Sequence, residues 1–422
     1  MSNLATDWDI VPFQNVVDKV IDFRGRTPLK IGMDWGNGEI LSLSANNVKR
    51  GYIDKEKEAH LGSIELYNKW MTRGECKLGD IVFTMEAPLG NVAQIPDNYK
   101  YILSQRVILL KINDKVANST YIAYLMRGDD FQTRLFQRST GSTVTGIQQQ
   151  KLNKFELILP PIKQQNKIAK LLSTVDNLID QTQNLIDKYT SVKKGMMADL
   201  FTRGIELSGT PETNQNYGQL RPSYEELPEL YQETELGWIP KGWGVEPLCN
   251  CLNFLDRQRV PLKQEDRASM GGQYPYYGAS GIIDYINDFI FEGSFILLGE
   301  DGENVLSRNL PLAFKVKGQI WVNNHAHIMT TKVGMDIDFY TEYLENINYE
   351  NIVSGSAQPK ITQSQLAKML IKVPTGDEQK EVTKRLSSIN FRIITEKEYL
   401  EKLKLKKKGL MQDLLTGKKQ VN

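Results

Sequence analysis

The chain has 422 residues, 40% of them hydrophobic and 24% charged, with a net charge of +1, which excludes a disordered or fibrous polymer. No uninterrupted apolar run approaches the roughly 18 residues a membrane helix needs. Three cysteines are too few for a disulfide framework, and MSNLATDWDI does not have the shape of a signal peptide, so the cytoplasm is the expected compartment.

The near-neutral total hides an uneven distribution. Residues 205–236 hold seven Glu and one Arg, and the −6 of that stretch leaves the remainder at +7. Residues 376–422 hold twelve Lys and Arg against seven acids. A basic body beside an acidic segment points toward a polyanionic partner.

In chain order, WDIVPF (8–13) opens the first half. Apolar runs at 39–43, 80–84 and 106–112, punctuated by Gly and Asn, read as strands, and a helical stretch follows near 119–137. Pro160-Pro161 suits a first helical turn. Ile168, Leu171, Val175, Leu178, Thr182, Leu185, Tyr189, Val192 and Met196 then step by three and four, the seam of one long helix over 161–204. The acidic stretch, taken as 205–240, reads as a linker. WGVEPL (243–248) opens a second half, with strands at 295–299, 312–316 and 327–331 and a helix near 338–348. Thr375-Gly376-Asp377-Glu378 fits a capping box. A second long helix over 375–422 carries the seam Val382, Leu386, Ile389, Ile393, Glu396, Leu400, Leu403, Lys407, Leu410 and Leu414. At about 1.5 Å per residue, each helix is a rod of roughly 60 Å.

The halves repeat one another. At a constant offset of 214, residues 139–202 align with 353–416 without a gap. Gly141-Ser142 meets Gly355-Ser356, Ile147 meets Ile361, Pro160 meets Pro374, and Gln165 meets Gln379. KKGMMADL (193–200) meets KKGLMQDL (407–414). Gly195 and Gly409 fall inside the helices, where glycine costs about 1 kcal/mol relative to Ala. Either a close backbone approach or an early helix end is expected there. A long helix with one apolar seam needs a partner. The nearest is the other copy, running antiparallel; packing on its own globule or dimerising with another molecule are the alternatives.

Between the shared segments lie further phrases: LGDIVFT (78–84), APLGNVA (87–93), PPIKQQNKIA (160–169), ELGWIPKGW (235–243), YPYYGASGIID (274–284) and GSAQPKI (355–361). Together and in this order they resemble the specificity subunits of type I restriction–modification systems, over almost the whole chain. The first half lacks the full ELGWIP-like lead before Trp8. The resemblance implies an α+β protein in which two mixed α/β target recognition domains are separated by two long antiparallel helices. These would form a coiled-coil spacer within an internal pseudo-twofold repeat. The expected boundaries are 1–160 and 241–374 for the recognition domains, 161–204 and 375–422 for the helices, and 205–240 for the linker. It implies double-stranded DNA, two methylation subunits and restriction subunits as partners, with no membrane. S-adenosylmethionine, ATP and Mg would reside on those partners, and no cofactor on this chain.

What both halves keep cannot distinguish two different half-sites, so Gly141, Ser142, Gly355 and Ser356 are expected to shape a loop or touch backbone. Divergent polar residues are expected to read bases. In the first domain these are Arg24, Arg26, Thr27 and Lys30; Asn46, Asn47, Lys49 and Arg50; and Arg138, Ser139 and Thr143. In the second they are Arg257, Gln258, Arg259 and Lys263; Tyr274, Tyr276, Tyr277 and Ser280; and Gln358 and Lys360. Arg, Asn and Gln suit bidentate contacts, Lys suits phosphate, and Tyr suits packing on sugar or on a distorted step. Val175, Leu178, Leu185, Tyr189, Val192 and Met196 are expected to meet Leu386, Ile389, Ile393, Leu400, Leu403 and Leu410 along the helix seam.

A fused methyltransferase or nuclease is the competing class, and the sequence disfavours it. LPPI (159–162) lacks the amide or carboxylate that holds a flipped adenine. WGNGE (35–39) has no strand–turn–helix setting, and no GxxxxGK[ST] loop occurs. Cys249, Cys251, His325 and His327 alternate as zinc ligands or as half-buried strands do. Only one half carries them, which favours strands, and His60 reads as an isolated surface residue.

Overall fold

The computed structural model describes residues 7–57, 60–141, 145–355 and 358–421. The chain divides into two compact units, residues 1–184 with 397–422, and residues 185–396.

The first unit holds a sheet of four antiparallel strands in the order Val17–Asp22, Val107–Ile112, Ile81–Thr84, Val92–Gln94. A second sheet joins Leu61–Gly62, Ile40–Leu43 and Tyr101–Leu103, the last two parallel. Ile81–Thr84 is buried on both faces, which is why it reads as a continuous apolar run without alternation. Ile81 and Phe83 face one core, with Tyr121, Leu125 and Phe131. Val82 faces the other, with Trp70, Tyr67 and Ile102. The helix expected near 119–137 is two, Ser119–Arg127 and Asp129–Arg138, broken at extended Gly128.

Both long helices enter this unit: the first spans Ile162–Leu200 and the second Gly376–Leu415. Leu172, near the start of one, shares a core with Leu414 and Leu415 at the end of the other. Further along, Asp176 takes Lys407 Nζ at 2.5 Å and the Tyr124 hydroxyl at 2.6 Å. Rising numbers on one helix meet falling numbers on the other, so they run antiparallel.

The second unit is built on six strands in the order Leu252–Phe254, Ala326–Thr331, Phe291–Gly299, Ala313–Val322, Gly271–Gly278, Gly281–Ile286. Ala313–Val322 and Gly271–Gly278 are parallel, and the remaining neighbours antiparallel. Helix Ile337–Asn346 covers one face through Phe339, Tyr340 and Leu344. Met197, Leu200 and Phe201 from the end of the first long helix close that core, with Val382 and Leu386 from the start of the second. Lys193 meets Glu342 at 2.8 Å, and Asn390 Nδ2 donates to the same carboxylate at 2.7 Å. Positions 193 and 390 are the repeats of 407 and 176, so the two units make the same junction with the carboxylate moved from helix to globule.

Shared residues do shared work. Gln165 and Gln379 are both buried. Each side-chain oxygen accepts a backbone N–H, of Asn118 and Asp336, at the start of the covering helix. Each amide donates to the proline carbonyl five residues earlier, at 2.9 Å. Trp8 packs on Gly417 in one unit and Trp243 on Gly204 in the other, and both glycines have positive φ.

Several expectations need correction. On the first helix Leu178 and Val192 are 36% and 43% exposed, and Leu185 and Met196 only half-buried. Ile168, Val175 and Thr182 of the expected seam are buried, together with Leu172, Ile186 and Met197. Apolar doublets at 171–172, 178–179, 185–186 and 196–197 allow either phase, and the structure takes the second. On the second helix Leu386, Ile389, Ile393, Leu400 and Leu403 are buried and Leu410 half-buried. Neither helix ends at its glycine, and a Cβ on Gly195 or Gly409 would meet nothing within 4 Å. Thr375 caps the Glu378 N–H, but the Glu378 carboxylate turns away, to Arg221 at 2.5 Å and Trp243 Nε1 at 2.8 Å. The acidic stretch is no free linker: Ile205 is buried, and Tyr231–Thr234 pairs with Gly237–Pro240. Cys249 and Cys251 lie on a one-turn helix, Leu248–Cys251, in place of a strand. Among the described residues no helix is long and apolar enough to cross a membrane.

Candidate nucleic-acid interface

In each unit the shared Gly-Ser loop closes the same way. Thr140 bridges Gly146 in the first, and Ser354 bridges Lys360 in the second, both at the constant offset. The loop then lies against the end of a core strand, through Glu86 to Gly146 and Asp301 to Lys360. Gly355 has φ +87 and its Cβ would lie 2.6 Å from the Gln358 carbonyl, so only glycine turns there. Gly141 also has positive φ. Ser142, Thr143 and Ser356 lie outside the described residues.

In the first unit the expected residues separate by role. Arg24 is held by Asp22 at 2.7 Å; burial alone would raise that carboxyl, but the bonds from Arg24 keep it below its ordinary value. Arg26 lies 5.6 Å over the Trp70 ring and donates to the carbonyls of Lys69 and Trp70. Thr27 precedes the tight turn Pro28–Ile31, and Lys30 Nζ donates to the Gly25 carbonyl at 2.6 Å. Asn47 is a correction: fully buried, it bonds Ser44, Asp54 and Lys57 and shapes the loop that exposes Asn46. Lys49 is half-buried on the same loop. Arg50 turns aside to the Arg127 carbonyl. Arg138 lies 4.8 Å over Phe155, and the Ser139 hydroxyl donates to Phe136.

A cleft of about 680 Å³ brings Arg26, Thr27 and Asn46 together with Trp35, His60 and Gln105. Sequence reasoning missed the last three. Trp35 and His60 stack at 5.4 Å with their planes 11° apart, so His60 is not isolated. The 24 residues between those rings gave no local signal. The cleft offers an aromatic face and amide and guanidinium edges, which suits base contacts.

In the second unit Arg257, Gln258, Lys263, Ser280 and Gln358 are exposed. Arg259 is a correction: it is drawn inward to Glu300 at 2.9 Å and the Ala326 carbonyl at 2.5 Å. Tyr276 is another: buried, its hydroxyl accepts the Leu262 N–H. Tyr274 and Tyr277 are half-buried against Phe289 and Phe314, and burial raises the Tyr277 phenol. Lys360 reaches Glu300 at 3.0 Å. Burial alone would raise the Glu300 carboxyl, but bonds from Lys360 and Arg259 and the nearby His327 leave it lowered. His327 is fully buried between Asp256 at 2.6 Å and the Ile361 carbonyl at 2.9 Å, fastening the shared loop to the sheet. It does not approach a metal set with the cysteines, and among the described residues no His, Cys, Asp and Glu cluster suits a metal ion.

A family model described as the type I restriction modification DNA specificity domain matches residues 6–189 and 240–405. The chain is 26% identical over 439 residues to a putative type I restriction enzyme MjaX specificity subunit of Methanocaldococcus jannaschii, covering 99% of this chain and 95% of that one. It is 32% identical over 163 residues to a putative type I restriction enzyme specificity subunit, S.HindORF215P, of Haemophilus influenzae, covering 39% and 40%. In fold it matches the S subunit of a type I restriction–modification system from M. genitalium, with TM-score 0.62 at 15% identity over 98% and 97% of the two chains.

Proposed function

Because this chain belongs to the type I restriction–modification DNA specificity family, we propose that it reads a two-part DNA sequence, one part with each unit. It is the specificity subunit, and it does no chemistry itself. The recognition modules of this reading are 1–160 and 241–374, with helices 161–204 and 375–422 and the acidic segment 205–240 joining them. Double-stranded DNA, two methylation subunits and restriction subunits are its partners, in the cytoplasm. S-adenosylmethionine, ATP and Mg act on those partners.

One observation carries the reading. The two units make corresponding helix junctions and close the Gly-Ser loop with the same bridge, yet build their reading surfaces on different sheets. A common frame with two different faces is what a split, non-palindromic site requires. The residues proposed to contact bases are Asn46 and the cleft lined by Trp35 and His60 in the first, and the exposed Arg257, Gln258, Lys263, Ser280 and Gln358 in the second. Lys49, Lys30 and Lys360 are proposed for phosphate.

Exchanging residues 1–160 for those of another family member, then sequencing the methylated sites of the assembled complex, tests this. One half-site changes and the other stays. Change in both, or in neither, refutes the assignment. Binding by the assembled complex should weaken steeply with salt, as phosphate contacts demand.

A further inference from the structure

The repeat exposes one place where the units differ. In the second, Trp243 Nε1 donates to Glu378 at 2.8 Å, and the same carboxylate accepts the Ile205 N–H and pairs with Arg221. In the first, the matching indole is Trp8. Position 164, the counterpart of 378, is Gln, and its amide donates to Asp7 at 2.8 Å. Trp8 Nε1 is buried with no acceptor among the described residues.

Trp8 lines a cavity of about 1130 Å³ with an apolar floor that includes Leu125 and Phe131. Six of the lining side chains are cationic and two acidic. Four of the cations have carboxylates: Arg50 with Asp129, Arg134 with Asp130, Lys407 with Asp176, and Lys404 with Glu401. Arg127 and Lys408 have none among the described residues. Arg127 is only 9% exposed; its Nε bonds the Ala123 carbonyl and its guanidinium lies 4.2 Å from the centre of the Tyr124 ring. Arg134 Nε is a second buried donor without an acceptor. The cavity therefore gathers two cations without carboxylate partners, beside two unpaired N–H groups sealed from solvent, where the repeat unit supplies its own carboxylate.

We propose that this cavity binds a small organic phosphate of mononucleotide size. A phosphate monoester brings close to two negative charges at neutral pH, matching both unpaired cations. A lone carboxylate would leave one cation unmatched. The space far exceeds a bare phosphate, and its apolar floor suits an organic body. This site is separate from the clusters proposed to read DNA.

Calorimetric titration of the full chain with adenosine 5′-monophosphate tests the proposal. One saturable site is expected, at least tenfold weaker for adenosine, for inorganic phosphate and for the Arg127→Met variant. Lys408 is exposed on its helix, so Lys408→Met keeps the fold and should weaken binding about threefold; this variant decides the matter if Arg127→Met does not fold. Unrelated duplex DNA should not displace the nucleotide. No saturable heat, unchanged affinity in Lys408→Met, equal binding of inorganic phosphate, or displacement by duplex DNA would each overturn it.

Discussion

Glu378 shows how much one side chain can hold. It is 2% exposed, and it joins the acidic segment, the Trp243 lead and the start of the second long helix by bonds to Arg221, Ile205 and Trp243. Removing this carboxylate leaves Arg221 with Glu206 alone, at 3.5 Å, and the Ile205 and Trp243 N–H groups without their acceptor, so Glu378→Ala should lose about 3–5 kcal/mol in urea unfolding. A loss below about 1 kcal/mol would mean the segment is not anchored there. Glu300 gives a pH dependence. Its carboxyl is lowered in the folded protein, so the stability it adds is present above its unfolded value, near the ordinary 4.5, and fades as pH falls through the folded one. Between about pH 7 and about pH 4 the parent should therefore lose more stability than Glu300→Gln. Equal losses would show that Arg259 and Lys360 do not hold that carboxylate. Such roles were hidden in the sequence. Asn47 and Arg259 are of types that suit bases, yet Asn47 is held within its own loop by Ser44, Asp54 and Lys57, and Arg259 is drawn inward by Glu300 and Ala326. No local pattern distinguishes an Asn that shapes a loop from one that leaves it.

At the level of the helices, periodicity established existence and length but not phase. On the second helix Leu386, Ile389 and Leu403 stand alone at their seam positions and are buried, as are Ile393 and Leu400, while Leu410 of the doublet 410–411 is half-buried. The first has doublets, so two faces competed, and Lys193 lies on the winning face, where it meets Glu342. The glycines of the repeated phrase remain without an intramolecular role. Since nothing lies within 4 Å of a Cβ at either site, Gly195→Ala and Gly409→Ala should each stabilise the isolated chain by about 1 kcal/mol, the difference in helix propensity. Thermal unfolding of the chain alone reads this directly. A destabilisation would show that the helix bends at these points in a way that alanine resists. If the isolated chain gains stability while the assembled complex weakens, a partner's approach explains why both copies keep glycine.

For the molecule as a whole, the repeat was the most informative feature of the sequence, because an offset of 214 without a gap over 139–202 and 353–416 requires the same loop and long helix to be built twice. It could not reveal that each compact unit is completed by the end of the opposite half's helix, since contacts of that range leave no local trace. The first unit takes residues 397–422 and the second takes 185–204. KKGMMADL and KKGLMQDL are the segments that make this exchange: lysine to the polar junction, Met197 and Leu200 or Leu414 to the core. Because the phrases are so alike, one half should be able to complete itself with a second copy. A fragment of residues 1–208 carries a globule, a long helix and the phrase that seats it. It should form a two-fold dimer in which Lys193 replaces Lys407 beside Asp176 of the other copy, and Met197 and Leu200 replace Met411 and Leu414. Light scattering measures the mass. Lys193→Glu would place two carboxylates together at each of the two junctions, and should shift the fragment toward monomer while leaving the full chain folded through its other contacts. A fragment that is folded and monomeric at every concentration would show that the helix ends are not interchangeable, and the internal duplication would then be one of sequence without equivalence of packing.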